Sequence, residues 1–118
     1  MTGVAFASSD ADEISAIAHL TESLNQQFAG GSIVTGEAAD LALKESTAAQ
    51  TRLQNWFEQA EKTCHNNFFV NSCLNDVKQE RRKHIVVLQR ISLEAKSLQR
   101  KLHIEELDRE LAQKQTKP

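Results

Sequence analysis

Apolar residues recur along this chain at spacings of three and four in three separate blocks. Ile14, Ile17, Leu20, Leu24 and Phe28 make the first, one stripe on a helix predicted over 9–28. Ser9 is its expected cap, and Asp10, Asp12 and Glu13 occupy the turn where the helix dipole favours acids. Gly30 and Gly31 stop it, and Thr35 caps a second helix predicted over 36–63. That stripe is Ala42, Ala49, Leu53, Trp56, Ala60 and Cys64, with Ala38, Leu41 and Phe57 on its flanks. Its alanine-rich first half lets another helix approach closely.

The third block is the longest. From 72 to 115 there is neither glycine nor proline, and Leu74, Val77, Ile85, Leu88, Ile91, Ala95, Leu98 and Leu102 follow a near-heptad seam interrupted by Arg81 and His84. Beyond Leu102 the apolar phase shifts to Ile104, Leu107 and Leu111.

About seven residues, "CHNNFFV", join the second and third helices, and so short a connection makes them antiparallel neighbours. Phe68 and Phe69 are expected to cap that end. The third helix then outruns the second by roughly 16 residues, about 24 Å. Its end must pack on something else, stay solvated, or pair with another chain. The run Ile85, Val86, Val87, Leu88 covers about 300° of a helix, more than one neighbour can bury. Either the first helix folds back at this level or a second chain covers it. The fold expected is all-α: an antiparallel, coiled-coil-like helical hairpin with the N-terminal helix packed back on it, one domain over 9–118.

Composition supports this reading. Of 118 residues, 40% are hydrophobic, 5% aromatic and 25% charged, with a single proline. Good helix formers are in excess. A net charge of −2 argues against a protein that coats nucleic acid, and no apolar run is long enough to cross a membrane. The start "MTGVAFASSD" places Ala5 and Ala7 in an A-x-A pattern before Ser8, so residues 1–8 are expected to be a leader remnant, the alternative being a chance match in a frayed, disordered start.

Both cysteines lie in "TCHNNFFVNSC". Cys64 closes the second helix and Cys73 opens the third, facing each other across the turn. A disulfide fits that placement and an oxidising compartment. Two reduced, buried thiols are the plainer alternative. A metal site would need His65 with the cysteines and still lack a fourth ligand, so no metal or cofactor is expected.

The stretch from Ser32 to about Arg100 resembles a family of small exported helical proteins of β-proteobacteria. The residues that carry the resemblance are Ile33, Thr35, Glu37, Ala38 and Asp40, then Cys64, Phe68, Val70, Cys73 and Leu74, then Arg81 and Arg82. His65 departs from it, standing where an aromatic residue is more usual. The resemblance implies export to the periplasm and a paired-cysteine hairpin, and it implies no activity.

Candidate chemistry is sparse. The run "KQERRKH" puts Lys78, Arg81 and Arg82 on neighbouring rows, candidate contacts for anionic headgroups at a membrane surface or for another anion. It lacks the interleaved aromatics of a nucleic-acid surface. No nucleophile turn, Gly-rich loop or HExxH spacing accompanies the four histidines, so an enzyme is not expected. The sequence reading is a non-catalytic periplasmic protein that presents helix to a protein partner in the cell envelope or to a second copy of itself. The expected contacts are Ile85, Val86 and Val87 in the girdle and Ile104, Leu107 and Leu111 beyond it. The alternative is a cytoplasmic coiled-coil adaptor, or weak nucleic-acid binder, working through residues 78–84.

Overall fold

The computed structural model describes residues 8–116. The expected leader remnant lies outside them except for Ser8, which opens the first helix. Three helices follow in order: α1 (Ser8–Gln27), α2 (Gly36–His65) and α3 (Val70–Thr116). They form an antiparallel α2–α3 hairpin with α1 packed back across both, an elongated body of 77 × 23 × 17 Å.

Local chemistry explains each boundary, and some differ from expectation. Thr35 caps α2 as anticipated: its backbone is extended (φ −119°, ψ 155°) and its Oγ1 accepts the Ala38 N–H. Ser9 lies inside the first turn of α1 and is no cap. Gly31 sits at φ +78°, a left-handed conformation that glycine adopts without strain, and this turns the chain away from α1. The hairpin turn is only 66–69. Asn67 Oδ1 accepts the Phe69 N–H at 3.3 Å, and the Phe69 carbonyl accepts the Cys73 N–H at 3.0 Å. Those bonds start α3 at Val70, slightly earlier than the sequence suggests.

The core lies where the three stripes meet. Ile14, Ile17 and Leu24 of α1, with Phe28 just past its end, bury against Leu53 and Trp56 of α2 and Val77, Leu88, Ile91 and Ala95 of α3. Each large aliphatic chain so buried contributes roughly 1.5–3 kcal/mol before the entropy cost of ordering it. Ala39, Ala42, Ala49 and Ala60 are fully buried, so small side chains line the α2 seam along its length.

Polar contacts fix how the helices sit. Ser46 Oγ lies 2.6 Å from Ser92 Oγ, and Gln50 Nε2 donates to Ser92 Oγ at 2.8 Å. A buried pair of this kind is satisfied in one register of α2 against α3 and costly in any other. Arg52 donates twice to Glu13, at 2.7 and 2.8 Å, tying α2 to α1. Trp56 Nε1 donates to the Asp10 carbonyl at 3.0 Å, and Thr63 Oγ1 lies 3.0 Å from the buried Asp10 carboxylate. At the other end of α1, Arg90 donates to Asn25 Oδ1 (2.8 Å) and the Phe28 carbonyl (3.1 Å), and it pairs with Glu94. Glu94 in turn accepts the Gly31 N–H at 3.0 Å. α1 therefore packs within its own chain.

That packing corrects one expectation. Leu88 is buried and Ile85 and Val87 are half-buried against the core, so α1 and α2 already cover most of the girdle. Only Val86 of the four is exposed. Ile85 and Val87 are thus largely core residues and not free contacts for a partner.

Candidate functional site

Three features carry the residues singled out above: the closed end of the hairpin, the basic run, and the outer face of α3.

At the closed end Cys64 and Cys73 are both buried, with their Cα atoms 5.4 Å apart and their sulfurs at the 2.02 Å bonding distance of a disulfide. They join the last turn of α2 to the first turn of α3. His65 is exposed beside them, and among the described residues no group of three or more His, Cys, Asp or Glu is placed to hold a metal. Phe68 and Phe69 do not cap the bundle. Their rings meet edge to face at 5.0 Å, but Phe68 is 91% and Phe69 68% exposed. The bridge, Ala60 and Val77 are buried at that end without help from either ring.

The basic run is split by its neighbours. The Arg81 guanidinium lies over the Phe57 ring, 5.3 Å from its centre, and Nε donates to Gln54 Oε1 at 3.3 Å. Arg81 is therefore a half-buried link from α3 to α2, which is why it can interrupt the apolar seam. Lys83 pairs with Glu80 at 2.7 Å. Lys78 and Arg82 stay exposed at the rim of a shallow depression floored by Phe57 and Ile85. Of the three candidate anion contacts, these two keep an open surface. His84 is half-buried. Burial pushes its pKa below the ordinary histidine value, partly opposed by Glu80 at 3.7 Å.

The outer face of α3 has the larger surface. A methyl group on Gly36, the first residue of α2, would lie 3.4 Å from Leu102 Cδ1, so α2 begins level with Leu102. From His103 to Gln115 every residue is exposed, about 20 Å of helix beyond the level at which α2 begins. Ile104, Leu107 and Leu111 lie there, and Leu107 is 49% exposed. At 100° per residue, they fall on the side of α3 roughly opposite Leu88, Ile91, Ala95, Leu98 and Leu102. Val86 and Leu93 share that side, the latter 65% exposed. The helix thus carries two apolar stripes, one spent on the core and one facing away from it. The core-facing continuation past Leu102 is polar, with Glu105, Glu106, Arg109 and Gln113.

Leu93 is the residue that the sequence reading missed. Its seven-residue spacing from Val86 was the available signal, masked by the stronger seam of Leu88, Ile91 and Ala95 around it.

Searches of protein-family models, curated proteins and solved structures find no match to this chain.

Proposed function

We propose that this is a non-catalytic, exported helical protein whose disulfide-locked hairpin holds out α3 as a protein contact surface. One observation carries the reading: the second apolar stripe, Val86–Leu93–Ile104–Leu107–Leu111, on the side of α3 away from its own core. Large apolar side chains arrayed along one exposed face are a surface awaiting a partner. Their spacing, with Ile104, Leu107 and Leu111 at three and four, suits a partner that brings a helix with a similar stripe.

The bonded Cys64–Cys73 pair supports an oxidising compartment, and with it the periplasmic setting implied by the family resemblance. The hairpin supplies a rigid base from which the free end of α3 projects, so little order remains to be imposed when a partner binds.

The test is a photo-crosslinking amino acid placed at Leu107 and, separately, at the exposed Lys44 of α2, in the native cell. The reading expects adducts from position 107 and none from position 44. Equal labelling from both positions, or none from 107, overturns it.

A further inference from the structure

We infer that the helix which docks on the free end of α3 is the same segment of a second copy of this chain, laid antiparallel about a two-fold axis between Glu105 and Glu106. This deepens the proposed function and rests on its reading of the outer face as a contact surface.

The outer face is complementary to itself. Along the outer face Lys96, Arg100 and Lys101 make a basic stretch and Asp108 and Glu110 an acidic one, with Ile104 and Leu107 between them; all are exposed. Antiparallel pairing about that axis lays Arg100 and Lys101 of each copy along Asp108 and Glu110 of the other, and leaves Lys96 level with Gln115 and beside Lys114 at the ends of the overlap. Ile104 then meets Leu107 of the second copy and Leu107 meets its Ile104, giving four apolar side chains at the centre. Leu111 covers the aliphatic stem of Arg100. On the flanks Lys101 comes opposite Asp108, and His103 opposite Glu110. The bundled portions of both copies lie on the far sides of the paired helices, because the stripe faces away from α2, and do not collide.

Other pairings are worse for a stated reason. A parallel pair stacks Arg100 on Arg100 and brings Lys96 beside Lys101, and like charges across an interface cost affinity. A longer antiparallel overlap would stack Leu93 on Ile104. It also gathers Lys96, Arg100 and Lys101 of both copies at the centre. Charge therefore selects the shorter overlap, about residues 95–116.

Sedimentation equilibrium of the oxidised, full-length protein reads this directly. The expected species has twice the 13.2 kDa chain mass. Lys101→Glu and Asp108→Lys should each weaken association about tenfold, and the double variant should restore it, since it only reverses the pair. Circular dichroism checks that the exposed changes leave the fold alone. A wild-type monomer throughout, single variants that associate normally, or a double variant without rescue overturns the inference. In the longer overlap Asp108→Lys would have no effect, which separates the two registers. The contact surface itself fails on a different result, the absence of cellular adducts at position 107. A monomer in solution with a foreign adduct in the cell would remove self-pairing and leave the surface standing.

Discussion

Gly36 opens α2 directly against Leu102: a methyl on that glycine would touch the leucine's Cδ1 at 3.4 Å. That contact marks where the body of the protein ends and a bare helix begins. Ile104 lies two residues beyond it, on the opposite side of α3.

Removing residues 104–118 should therefore cost the fold almost nothing, since no described residue past Leu102 is buried. The thermal midpoint of the truncated protein is expected to match the full chain, with association lost. A large fall in the midpoint would mean that the projecting helix supports the bundle. Beyond the helical residues 104–116 that are deleted, fraying of the new end is the one further loss of helix signal expected.

The disulfide should stabilise without being indispensable. Closing so short a loop restrains the unfolded chain by about 2–3 kcal/mol on the entropy model. The core above it, with Leu53, Trp56, Val77, Leu88 and Ile91, does not depend on the sulfurs. Replacing both cysteines by alanine should lower the unfolding free energy read from a urea titration by about that amount and keep the helical spectrum. Loss of all helix would contradict the account.

Ser92 is expected to matter more than its size suggests. Ser92→Val removes one hydrogen bond each from Ser46 and Gln50, which keep the Leu43 and Leu88 carbonyls as acceptors. Each hydrogen bond lost costs about 0.5–1.5 kcal/mol net. Denaturant titration should show that loss, and Ser46→Ala added to it should recover part. Phe68→Ser with Phe69→Ser is the contrasting case: both rings are exposed, so stability should hardly change.

Acid should act in two windows. The His84 pKa is lowered by burial, so above its ordinary value of 6.5 the ring is neutral in folded and unfolded chains alike. Below 6.5 the unfolded chain takes up the proton first, and stability falls until the folded ring titrates too. His84→Met should flatten that window. The carboxylates of Glu13, held down by Arg52, and Glu94, held down by the Gly31 N–H, act below their ordinary 4.5. Their stabilisation is present above that pH and is lost as it falls further. Stability curves of wild type and His84→Met that fall in parallel as the pH drops below 6.5 would contradict the assignment.

Periodicity made the three helices legible, because each stripe is long and each break is a glycine pair or a cluster of asparagines. The cysteine pairing was legible for the same reason: both residues continue the inward stripe of their helices. Two-body contacts between distant residues were not. Nothing in the spacing of Arg81 says that it lies on Phe57, or in that of Asp10 that it is buried against Trp56 and Thr63. The Phe68–Phe69 pair misled because apolar side chains at a turn are expected to cover the bundle end, whereas here the rings pack edge to face on each other and stay exposed. The outer stripe of α3 was half legible, visible past Leu102 and hidden before it.

Whether the hairpin is oxidised and exported, as we propose, is read by alkylation in the native cell. Cells are fractionated without reductant, treated with an alkylating reagent under denaturing conditions, and the protein's mass is read in each fraction. The account predicts the protein in the periplasmic fraction with neither Cys64 nor Cys73 alkylated. A cytoplasmic protein that takes an alkyl group on each cysteine would contradict it, and would move Lys78 and Arg82 ahead of the α3 face as the surface to explain.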